Sequence, residues 1–92
     1  MTFSMLKPES HAMNVHCSDD ELSVTLTDGR TITAPLIWFP RLANANAAQR
    51  QHYELLGLGE GIHWPELDED ISVHGLLAGQ PAHEFSRAKQ HA

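Results

Sequence analysis

Histidine is the side chain best placed to move protons near neutral pH, and this sequence holds seven: His11, His16, His52, His63, His74, His83 and His91. They are scattered, and the single cysteine, Cys17, completes no Cys/His spacing of a zinc site. His63 is the exception, because Glu66, Asp68 and Asp70 follow it closely. One imidazole with carboxylates is a ligand set for a divalent ion; the simpler reading is a strand-end histidine hydrogen-bonded beside a carboxylate. A hydrolase would use His63 as base and Glu66 as its orienting group, with Ser72 or Cys17 as nucleophile. The chain has no nucleophile elbow and no glycine-flanked serine, so a non-catalytic protein without a cofactor is the expectation. Gly57, Gly59 and Gly61 precede an expected strand rather than a helix, which suits an irregular linker better than a phosphate loop.

Charge offers a second site. Glu60, Glu66, Asp68, Glu69 and Asp70 are five of the twelve acidic residues. Such a run is either a solvated turn that also favours the start of the following helix, or a docking patch for a basic partner. Glu66, Asp68, Glu69 and Asp70 are therefore the candidate partner-binding residues. Arg41, just after Pro40, is expected to form a structural ion pair with Asp68 or Asp70. Trp38, Phe39 and Trp64 read as core aromatics that would become interface anchors if exposed.

Size and composition limit what can hold such sites. Ninety-two residues make one small domain, and Leu, Ile, Val and Phe fill 21 positions, enough for a small core but not for a large internal cofactor cavity. The net charge of −6 repels polyanions, so non-specific nucleic-acid binding is not expected. One cysteine permits no internal disulfide, and no apolar run approaches a membrane span or signal-peptide core, so a cytoplasmic protein is expected.

The elements that must position these residues follow from periodicity. Val15 and Cys17, then Leu22, Val24 and Leu26, alternate with polar residues and predict two half-buried strands in which Cys17 opposes Leu22. A two-residue turn at Asp28-Gly29 would set Leu26 opposite Thr31, polar against apolar. A three-residue loop Thr27-Asp28-Gly29, with Gly29 left-handed, instead pairs Leu26 with Arg30, Val24 with Ile32 and Leu22 with Ala34. One face is then apolar, and the other carries Ser23, Thr25, Thr31 and Thr33, a hydroxyl-rich surface suited to water or a polar partner. Pro35 ends this meander, Leu36-Ile37-Trp38-Phe39 is expected to cover it, and Pro40 suits the first position of a short helix.

Asn46-Ala47-Ala48-Gln49 matches a capping box, and the helix it starts is expected to pass through Tyr53, Leu55 and Leu56 and stop at Gly57. Ile62-His63-Trp64 is expected as a short fourth strand at a sheet edge, with the acids after Pro65 forming the turn. Ser72 is expected to cap a last helix, Val73 to Ala78, with Leu76 and Leu77 inward. The expected architecture is α+β: a three-stranded antiparallel meander with a short fourth strand, covered on one face by two or three short helices. Residues 12–81 form the single domain in this reading, with tails at 1–11 and 82–92.

Three strings carry a resemblance: Thr27-Asp28-Gly29-Arg30-Thr31-Ile32, Trp38-Phe39-Pro40-Arg41-Leu42, and Gly61 through Ser72 with Gly75-Leu76-Leu77-Ala78-Gly79. Together they resemble the bacterial family known as domain of unknown function 2442. The resemblance implies a small α+β protein, joined in some relatives to a DNA-reading segment that is not expected in this chain, and often encoded beside another small uncharacterised protein in the manner of toxin–antitoxin pairs. The family has no assigned catalytic residues to carry over. A protein-binding or regulatory module is the expected function, and a small metal- or ligand-binding protein or hydrolase centred on His63 and the Glu66 to Asp70 turn is the alternative.

Overall fold

The computed structural model describes residues 11–85; the expected tails fall largely outside them. Strands β1 (Ala12–Cys17), β2 (Glu21–Leu26) and β3 (Thr31–Pro35) form an antiparallel sheet in that order. Its register is the one set by the bulged corner: Cys17 faces Leu22, Leu22 faces Ala34, and Val24 faces Ile32. The Leu26 amide donates to the Arg30 carbonyl at 2.8 Å, the Gly29 amide donates to the Leu26 carbonyl at 3.0 Å, and Gly29 has φ +94°. Glycine is suited to that left-handed position because it carries no Cβ to clash. Asp28 accepts from the Arg30 amide at 3.1 Å and steadies the corner. Leu22, Val24, Leu26 and Ala34 are buried, while Ser23 and Thr33 bring their hydroxyls to 3.3 Å on the outer face.

A 3-10 turn (Leu36–Trp38) and α1 (Pro40–Ala43) follow. Leu36, Phe39 and Leu42 are fully or nearly buried and Trp38 is half-buried, but Ile37 faces solvent. The expected cover is thus made by every second or third residue of this stretch. Helix α2 (Ala47–Gln51) begins with the capping box, Asn46 Oδ1 accepting from the Gln49 amide and Gln49 Oε1 from the Asn46 amide.

This helix does not reach Gly57. It stops at Gln51, and β4 (Glu54–Leu56) leaves as a strand. In a longer helix the Arg50 carbonyl would accept from residue 54; here it accepts from the Trp64 indole at 3.0 Å. Gly57 and Gly59 take positive φ in a hairpin turn rather than at a helix end. Gly59 is obligatory for a second reason: a Cβ there would lie 2.4 Å from the Ala12 carbonyl oxygen. That close approach lets the Ala12 amide donate to the Gly59 carbonyl at 2.7 Å and ties the turn to β1.

The expected fourth strand is the centre of a second sheet. Strand β5 (Gly61–Trp64) lies between β4 and β6 (Glu69–Ser72), all antiparallel. Ile62 pairs with Ile71, His63 with Asp70, and Trp64 with Glu69. The acidic run is therefore not all turn, since Glu69 and Asp70 belong to a strand. Helix α3 (Val73–Leu77) is capped by Ser72 Oγ, which accepts from the Gly75 amide at 2.9 Å. Val73 and Leu76 are buried, whereas Leu77 is exposed: on this single turn and a half only one of the adjacent leucines can face the sheet. The α+β class holds: among the described residues two three-stranded antiparallel sheets and four short helices share one core, in which Trp64 is the largest fully buried side chain.

Candidate functional site

The β5–β6 hairpin and what packs on it gather most of the chain's chemistry-bearing residues. Once Ile62 and Trp64 turn inward, the period of two along β6 sends Glu69 and Ile71 inward with them and leaves Asp70 and Ser72 outside. Glu69 is only 6% exposed. Its carboxylate has no hydrogen bond and no ion pair among the described residues, and its pKa is pushed up to about 6, first by burial, then by the nearby Glu84 carboxylate. Arg41 pulls it down in part, while Asp70 and Asp68 add to the rise. Glu69 is thus not a surface docking residue, contrary to the expectation for the acidic run. The signal for it was the alternation Glu69, Asp70, Ile71, Ser72, continuous with the buried Val73.

The other acids face outward. Asp68, at the hairpin tip, has φ +53° and a side chain 94% exposed. Arg41 donates to the Asp68 carbonyl at 2.6 Å, stands 3.8 Å from its carboxylate, and pairs with Glu84 at 3.0 Å. Glu66 lies 2.8 Å from His52 Nδ1, a partner not foreseen from sequence. His63 meets Asp70 at 2.5 Å as its cross-strand neighbour. Glu66 therefore does not orient His63.

Neither proposed nucleophile meets this histidine. Ser72 Oγ is taken up by its cap, and Cys17, in the other sheet, is half-buried with a thiol whose pKa burial pushes up despite Arg50 nearby. Among the described residues no group of three or more His, Cys, Asp and Glu is placed to hold a metal ion. Among the described residues no helix is long and apolar enough to cross a membrane.

Beside Glu69 lies a cleft of about 160 Å³ between β6, α3 and residues 80–82. Phe39, Ile71, Leu76 and Pro81 give it apolar walls, and Glu69 and Gln80 contribute polar groups. Residues 80–82 are tied to the 3-10 turn by the Ala82 amide, which donates to the Trp38 carbonyl at 3.0 Å. Arg50 was also missed from sequence. Its guanidinium binds the carbonyls of Leu42 and Ala43 at 2.9 and 3.0 Å and Asp19 at 3.0 Å, fastening the end of α1 to the β1–β2 turn.

The family model for a protein of unknown function, DUF2442, matches residues 12–82. The chain belongs to this family. A crystal structure of a protein of unknown function from Rhodospirillum rubrum is 34% identical, with a TM-score of 0.69 over 82% of this chain and 93% of that one. A solution structure of an uncharacterised protein from Chromobacterium violaceum shares the fold at 21% identity, with a TM-score of 0.70 over 87% of this chain and 75% of that one. No curated protein matches the chain. DUF2442 membership thus accounts for the two-sheet fold around the hairpin, and the chemistry of the site has to be argued from its own residues.

Proposed function

We propose that this protein is a non-catalytic, cytoplasmic protein-binding or regulatory module, one part of a toxin–antitoxin-like pair, whose acidic β5–β6 corner meets a basic partner protein. The observation that carries the reading is the projection of Glu66, Asp68 and Asp70 from one hairpin, with side chains 50%, 94% and 66% exposed. Three outward carboxylates on a chain of net charge −6 make a field that speeds encounter with a positive surface. The hydroxyl face of Ser23, Thr25, Thr31 and Thr33 is a second, uncharged surface on the other sheet, without a comparable steering force.

Co-expression with a small protein from an adjoining gene, the arrangement that the family resemblance implies, followed by size-exclusion chromatography, tests the reading. One co-eluting species is expected, and two separate peaks would overturn it. Within a complex, Asp68→Lys combined with Asp70→Lys should slow association about ten-fold at low salt and flatten its salt dependence. An unchanged association rate would remove the corner from the interface.

A further inference from the structure

We propose that the cleft between β6, α3 and residues 80–82 receives a basic side chain, arginine or lysine, of the partner protein, with the Glu69 carboxylate as its counter-ion. The inference rests on the partner-binding reading above and narrows it to one pocket.

A buried carboxylate is costly unless a cation or hydrogen-bond donors meet it. Glu69 has neither within bonding distance among the described residues, Arg41 acting on it only from farther off, and it lines a cleft rather than a closed core. The cation nearest in kind, Arg41, is engaged by the Asp68 carbonyl and the Glu84 carboxylate. The walls are apolar, from Phe39, Ile71, Leu76 and Pro81, and so match the methylene stem of a long basic side chain while Glu69 meets its charged head. Gln80 adds a side-chain carbonyl that can accept from the same head. The surrounding charges favour a cation: the carboxylates of Asp68, Asp70 and Glu84 outnumber the Arg41 guanidinium. A negative ligand would have to approach against all of them. The outward acids thus steer a basic surface to the corner, and the inward one gives a single side chain of that surface its pocket.

The test is a titration of the full-length, isotope-labelled protein with three capped amino acids: N-acetyl-arginine amide, N-acetyl-lysine amide, and N-acetyl-citrulline amide, which keeps the shape of arginine without its charge. Saturable shifts at the amides of Glu69, Ile71, Gly75 and Gln80 are expected with a charged probe, about ten-fold weaker or more with citrulline. Glu69→Gln, isosteric and uncharged, should weaken the charged probe by a similar factor while keeping a dispersed spectrum. In the unmodified chain, a saturating charged probe should lower the midpoint at which the Glu69 carboxyl titrates, a readout that needs no variant. Equal binding of citrulline, shifts confined to other residues, no saturable shift up to tens of millimolar, or an unmoved Glu69 titration would each overturn the pocket. Tighter binding of free agmatine than of capped arginine would overturn the partner protein as its source. A partner complex that forms but is indifferent to Glu69→Gln would sink this inference and leave the binding module standing.

Discussion

In the β1–β2–β3 sheet every buried side chain is apolar, whereas the inner face of the β4–β5–β6 sheet sets a carboxylate beside a tryptophan and leaves Leu55, the neighbour of Ile62, partly in solvent. The first sheet has matched registers, a corner built on Gly29, and hydroxyls on its outer face. The second has a three-residue edge strand, a non-glycine residue at positive φ, and an acid with no ion pair among the described residues. Local rules that agree with one another give stability, and departures from them gather where binding is proposed. The second sheet is therefore the region whose substitutions should separate stability from binding.

The largest effect is expected at Trp64. Its truncation to alanine empties the centre of the second sheet and frees the Arg50 carbonyl, and should cost about 3–5 kcal/mol in urea unfolding. A loss below about 1 kcal/mol would mean that the first sheet carries the fold alone. Gly59→Ala comes next: the new Cβ meets the Ala12 carbonyl at a positive φ, and a loss on the order of 3 kcal/mol is expected.

Glu69→Gln should act in the opposite direction. The carboxyl titrates at about 6 in the folded chain against an ordinary 4.5, so between these values the folded state holds a proton that the unfolded state has released. Its contribution to stability is present in full below about pH 4.5 and is lost as pH rises through about 6. At neutral pH this amounts to a deficit on the order of 2 kcal/mol, which Glu69→Gln should recover, flattening the stability profile between those pH values. Denaturation of both proteins across that range checks it, and parallel profiles would remove Glu69 as the source of the contrast between sheets. The smallest effect is expected at Gly29→Ala. Its Cβ meets no atom within 4 Å, so only the left-handed backbone is penalised, about 1 kcal/mol by thermal melting.

Legibility followed the same division. The meander could be read because Leu22, Val24 and Ala34 alternate strictly and only one loop length keeps them on one side. The cap at Asn46, the cap at Ser72 and the glycine at 29 were legible because they are local hydrogen-bond or steric demands. The end of α2 was not, because the competitor for the Arg50 carbonyl is an indole fourteen residues away. Leu55, Leu56 and Gly57 read equally well as a helix end and as a hairpin arm, and the pairing with Gly61 and Ile62 decided between them. The acidic run looked uniform in one dimension; pairing of Trp64 with Glu69 split it into three outward carboxylates and one inward.

By itself the sequence determined the family, the α+β class, the register of the first sheet and the negative sign of the surface, since these depend on composition, periodicity and neighbours a few residues apart. Only the tertiary structure decided that a second sheet exists, that Glu69 is buried with no ion pair or hydrogen bond among the described residues, and that a cleft opens beside it. Those features arise from long-range strand pairing, whose partners are chosen by the packing of Trp64 and Ile62 and not by any residue adjacent to them in the chain.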